Sequence, residues 1–279
     1  MNSLGIMLGR LSPPINNMIQ SFPSKTWRKE FQLANKLGFD LIEWIYDLAE
    51  NNPIISQDPN ELKKLSSEND IKIDSVCADY FMEKKLFNVS TFELSSNLDK
   101  LKQLIRNCNK LEIKILEIPL VDSSSIQNDA FRREFVSNLN SIIPYAEDNQ
   151  VYLTLETDLP PELFCNLLEE FNHPNVVANY DIGNSISLGY DPSVELTTMS
   201  KWIKNIHVKD RLYNSSTVPL GSGNVDFELF FTLLSKIDFS DSLIIQGARE
   251  DLVNHQISPE ETCSKYLKFV KQYMSKYLA

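Results

Sequence analysis

Histidine is scarce in this chain: 279 residues hold three of them. That is too few for a histidine-rich cluster of several metals. The four cysteines, Cys77, Cys108, Cys165 and Cys263, are scattered with no CxxC spacing. A disulfide framework and a structural zinc site are therefore not expected, and small buried thiols are. No apolar run approaches the roughly 20 residues of a membrane span. Basic residues are outnumbered, 27 against 38 acidic, which gives a net charge of −11 at pH 7. A nucleic-acid surface would carry a basic footprint instead. The opening "MNSLGIMLGRLSPP" has no basic n-region and no long apolar h-region, so the expectation is a cytoplasmic protein. It also has no GxGxxG, which argues against a doubly wound dinucleotide fold.

What the chain does contain is an alternation. Short apolar, β-branched runs are followed by longer stretches of helical periodicity. The strand candidates are "LGIMLG", "FDLIEWIY", "IKIDSVCA", "IKILEIPL", "VYLTLE", "VVANYDI", "IKNIHVK" and "LIIQG". Helices are expected at 27–36, from Pro59, at 92–110, 128–148, from Pro160, at 192–199, from Asp226, and at 259–277. Gly38 suits the C′ position of the first helix. Strands in a parallel sheet are buried on both faces and read as near-continuous apolar runs, as these do. Eight βα units in regular order predict one (β/α)8 TIM barrel, a single domain over residues 1–279.

Four of the last strands end in a polar residue: Glu156, Asp181, His207 and Gln246. The C-terminal ends of barrel strands are where such enzymes carry their chemistry. A carboxylate at the end of a buried strand is costly unless paired or metal-bound, so an ion pair with Lys209 or Arg211 is the alternative. His173 falls in a helix-to-strand turn and His255 in a surface-like loop, which leaves His207 as the histidine ligand. One imidazole and two carboxylates suit Mn, Co or Mg and tolerate Zn. Gln246 offers an oxygen but no base. Glu117 ends the fourth run, where a base and a rim ion pair are equally open, and Glu43 ends the second, where a structural role is the plainer reading. Lys209 follows His207 on the same face. Arg10, Arg211 and Arg249 follow strands one, seven and eight and could meet a phosphate or carboxylate. "LGSGN", with Gly221 and Gly223, offers backbone N–H groups where barrels often seat phosphate; a tight turn is equally open. Trp44 and Tyr80 lie near strand ends, where they could wall a sugar pocket.

The motifs "GFDLIEW", "LTLETD", "NYDIGNSISLGYD", "IKNIHVKDR", "VPLGSGNVDF" and "LIIQGARE" together resemble the xylose-isomerase-like barrel superfamily, in its sugar-phosphate isomerase/epimerase group. The pair "HVKD" and "VPLGSGNVDF" is similar to pentulose-5-phosphate 3-epimerases. The resemblance runs essentially end to end. It implies one divalent metal on Glu156, Asp181, His207 and the residue at Gln246, with Glu156 and Gln246 flanking the substrate. The epimerases carry glutamate at both flanking positions, so Gln246 is a departure. Asn184 is a second, standing where ketose 3-epimerases have a substrate-binding histidine. The implied activity is proton transfer in a sugar or sugar phosphate through an enediolate, with Glu156 or Glu117 as base and Lys209 assisting. A dehydratase or lyase using the same enolate, and a barrel that only binds sugar, are the alternatives. Endonuclease-IV-type repair needs more histidines and less negative charge. A homodimer is compatible with the pattern.

Overall fold

The computed structural model describes residues 2–252 and 256–278. His255 lies outside them. Eight parallel strands close into a barrel: β1 (Leu4–Met7), β2 (Leu41–Ile45), β3 (Lys72–Cys77), β4 (Ile115–Leu120), β5 (Tyr152–Thr157), β6 (Val176–Asp181), β7 (Ile203–Val208) and β8 (Ser242–Ile245). Each pairs with its sequence neighbours, and β8 closes on β1. This is a (β/α)8 barrel, as the alternation predicts. Among the described residues, no helix is long and apolar enough to cross a membrane.

The apolar runs form strands because one face packs on helices and the other fills the barrel. Trp44 shows the outer face. It is fully buried against Phe22, Trp27 and Phe31, and its indole N–H donates to Asn52. It therefore belongs to the core and not to a sugar pocket. Tyr80 stacks on Tyr46.

The helix Trp27–Leu37 ends where Gly38 adopts φ 91° and returns its N–H to Ala34 and Asn35, a left-handed cap that glycine enters without Cβ strain. The long helix Thr91–Lys110 starts in a capping box between Ser90 and Glu93. The stretch expected as one helix over 128–148 is two, Asp129–Asn140 and Ile143–Asp148, with Pro144 in the first turn of the second. Proline has no N–H to continue the ladder, and its ring crowds the preceding turn. A helix at Ile182–Leu188 follows β6 directly, where a loop was expected. Asp181 makes it possible: its Oδ1 accepts the Asn184 N–H at 2.8 Å.

Candidate metal centre

His207 stands at the centre of the barrel mouth with no solvent exposure. Each of its two ring nitrogens faces two carboxyl groups. Nε2 lies 2.7 Å from Glu43 Oε2 and 3.3 Å from Glu117 Oε2. Nδ1 lies 3.3 Å from Glu156 Oε2 and 3.8 Å from Asp181 Oδ2. Register explains the meeting: Asp181 on β6 is the direct partner of His207 on β7, and Glu156 ends the strand before. Glu156, Asp181 and His207 bring one ligand atom each to within 4.8 Å of one another, and Glu43, Glu117 and His207 do the same.

The charges polarise one another. Burial opposes a charged imidazole, but Glu117 and Glu43 outweigh it and hold His207 well above its usual range. Burial likewise pushes the Glu156 carboxyl up, and the hydrogen bond and charge of His207, with Lys209, more than reverse it, so Glu156 stays anionic. Glu117 goes the other way. Burial, with the charges of Glu156 and Glu43, raises its carboxyl well above the ordinary range. Two neighbouring carboxyls are thus driven in opposite directions, the pattern that separates a base from an acid.

Amides orient the set. Asn179 Nδ2 donates to Glu156 Oε2 at 2.9 Å, and Asn184 Nδ2 donates to Glu156 Oε1 at 2.7 Å. Asn205 Nδ2 donates to Glu43 Oε1 at 2.7 Å. A cation on the side of Glu156 and Asp181 would displace the Nδ1 proton, and Glu43, accepting from Nε2–H, would hold the tautomer that presents the Nδ1 lone pair to it. Lys209 Nζ sits 2.7 Å from Asp181 Oδ2, so the ion pair weighed as an alternative is present. Gly183 permits that approach, since a Cβ there would lie 2.9 Å from Lys209 Cβ.

Gln246 extends from the end of β8. Its Nε2 donates to Gln20 Oε1 at 3.1 Å, while its Oε1 is buried with no hydrogen-bond partner, as is Glu117 Oε2. Buried acceptors are normally paired, and a cation beside Gln246 Oε1 would satisfy it. The donor set fits a divalent ion: imidazole nitrogen, two carboxylates and an amide oxygen.

Above these residues opens a cavity of about 900 Å³, lined by Glu117, Glu156, Asn184, Lys209, Arg211 and Gln246 on one side and by the loops after β1 and β2 on the other. Glu117 and Glu43 are fully buried among the site residues, not ion-paired at the rim.

The basic residues expected at a phosphate are engaged elsewhere. Arg249 donates to the carbonyls of Ile19, Ser12 and Gly9, pinning the first loop from beneath. Arg10 donates to Gly247 O, Ile19 O and Gln20 Oε1. Arg211 donates to Ser215 O and to Asn184 Oδ1. The N–H groups of Gly221 and Gly223 both donate to Asp210 Oδ2, at 2.9 and 2.8 Å, so a carboxylate of the chain itself fills that anion seat. Sequence reasoning missed Gln20, Asp79, Asn179 and Asn205. The two asparagines carried a signal, being polar residues inside otherwise apolar strands. Gln20 carried none.

A model of the xylose isomerase-like TIM barrel matches residues 31–273. The L-ribulose-5-phosphate 3-epimerase UlaE of Salmonella paratyphi A is 25% identical over 264 residues, covering 90% of each chain. The solved structure of the IOLI protein with a binding zinc atom superposes with a TM-score of 0.78 at 20% identity, over 99% of both chains. That of an L-ribulose 3-epimerase superposes with a TM-score of 0.78 at 16% identity, over 99% of this chain and 96% of that one. Both structures share the fold.

Proposed function

The chain belongs to the xylose isomerase-like TIM barrel family, and we propose that it is a metal-dependent isomerase or epimerase of sugars or sugar phosphates. One observation carries the reading: ligand atoms of Glu156, Asp181 and His207 gather within 4.8 Å at the open end of the barrel. Gln246 Oε1 is the fourth donor. Its relatives named as ribulose-phosphate epimerases support the substrate class. A bound divalent ion would supply positive charge to stabilise the negative charge that develops on a substrate oxygen.

The chain's own residues handle the proton. Glu156 is the base. It is held anionic, it faces the cavity, and the Asn179 and Asn184 amides fix both of its oxygens. It takes the proton from the carbon next to the carbonyl. Burial raises the Glu117 carboxyl beside it, which suits Glu117 to the role of acid. Lys209 brings a cation to the mouth and offsets charge on the substrate. Return of the proton to the same carbon from the opposite face gives epimerisation; delivery to the adjacent carbon of the enediolate, with the hydroxyl proton passed between the two oxygens, gives isomerisation.

Gln246 favours a second reading, a barrel that binds sugar without turning it over, because an amide accepts no proton. Deuterium exchange decides between them. The Mn²⁺-loaded protein is incubated in D₂O with ketopentoses, ketohexoses and their phosphates. Deuterium at the carbon next to the carbonyl, abolished in Glu156→Gln, is the expected result. A loaded protein that exchanges with none of them acts as a binder.

A further inference from the structure

We infer that the cavity takes an unphosphorylated, neutral ketose and rejects its phosphate. This deepens the proposed function and rests on that reading of the site. Among the described residues, three basic side chains line the cavity: Arg10, Lys209 and Arg211. Each is already engaged. Arg10 has its Nε and both terminal nitrogens on the loop after β1 and the end of β8. Arg211 holds Ser215 O and Asn184 Oδ1, and Lys209 holds Asp181 and Asn184. The glycine loop between β7 and β8 is closed to an anion by Asp210, whose oxygens accept the N–H groups of Gly221, Gly223 and Val225. Gly223 has no room for anything further, since even a Cβ there would lie 2.1 Å from Asp210 Oδ1.

The remaining wall repels anions. Asp47, Asp79, Glu83 and Asp122 line the same cavity on the loops after β2, β3 and β4, and Glu83 and Asp122 are exposed at its edge. A phosphate dianion entering there meets like charges in a cleft that focuses their field. A neutral polyol meets acceptors for its hydroxyl protons. The loops after β1 and β2 add Ile15, Met18, Ile19 and Leu48, an apolar surface that matches the C–H face of a sugar. Met18 and Leu48 are half exposed while facing the cavity.

The test reads binding separately from turnover. The Mn²⁺-loaded protein is titrated calorimetrically with L-ribulose, with L-ribulose 5-phosphate and with inorganic phosphate. Like charges on the cavity wall lead to a preference for the free sugar of on the order of tenfold or more. Inorganic phosphate should neither bind nor displace it. Asp122→Lys, on the exposed rim, should narrow the ratio, and added salt should do the same. Tighter binding of the 5-phosphate, or no binding of the free ketose, overturns the inference. Deuterium exchange in the same samples reports on the proposed activity. Binding of L-ribulose without exchange upholds the substrate class while removing the isomerase reading.

Discussion

Glu43 Oε2 lies 2.7 Å from His207 Nε2, and neither side chain has any solvent exposure. A histidine that ligates through one nitrogen and gives its other N–H to a carboxylate is fixed in tautomer and ring angle. Glu43 is thus a positioning residue for the ring. Glu43→Gln should lower Mn²⁺ affinity by roughly 10–100-fold, the usual cost of losing such a partner. Calorimetric titration reads it, and Glu43→Asp should recover part of the loss. An unchanged affinity in Glu43→Gln would remove Glu43 from the site.

Gln246 should respond in the opposite direction. Its Nε2 is held by Gln20 and its Oε1 is left without a partner. Gln246→Glu adds a charge to the ligand set, and ligand charge sets affinity for hard cations. Mn²⁺ affinity should rise about tenfold. The Gln20 contact must then reorganise, since its Oε1 would face a carboxylate. If exchange with ketoses also rises, the glutamine limits turnover; a weaker metal would contradict the ligand role.

Asp210 accepts three backbone N–H groups in the loop before the helix Phe227–Lys236. Removing a buried acceptor leaves those donors unmatched. Asp210→Ala should cost about 3 kcal/mol or more in urea unfolding. Asp210→Asn keeps an acceptor oxygen and should cost less. Equal, small losses in both would mean that the loop does not depend on this carboxylate.

Glu30 gives the fold a pH dependence away from the site. It is fully buried, accepts the Gly9 N–H, and burial pushes its carboxyl up to about 7 from 4.5. Between those values the folded state binds the proton more readily than the unfolded chain, so stability falls as pH rises. Its contribution is complete below about 4.5 and is lost as pH rises through about 7, up to about 3 kcal/mol. Glu30→Gln should therefore gain on the natural chain as pH rises from about 5 to about 8. Urea midpoints across that range measure it. A constant difference between the two proteins would contradict the account.

Much of this was legible because strands in a closed barrel leave a sharp trace. An apolar run ending in Glu156, Asp181 or His207 marks both a strand and its open end, and β6–β7 register then puts two of those residues side by side. The misses share a cause. Gly221 and Gly223 read locally as an anion seat, but the answer depended on Asp210, 11 residues before the first of them. Arg249 was read from its place after β8, while the carbonyls it donates to lie 230 or more residues away in the first loop. Glu43 was read as structural before functional because strand ends alone do not tell how far inward a side chain reaches. The helix Ile182–Leu188 was missed because "IGNSISL" has poor helix propensity, and its start depends on the Asp181 side chain.

The most direct measurement is the metal content of the purified protein after dialysis against excess Mn²⁺ and then buffer, with Glu156→Ala and Asp181→Ala in parallel. The account predicts about one ion per chain in the natural protein and loss of most of it in both variants, with the fold retained by circular dichroism. A natural protein that holds no ion, or variants that hold it as well, would contradict a metal centre on Glu156, Asp181 and His207.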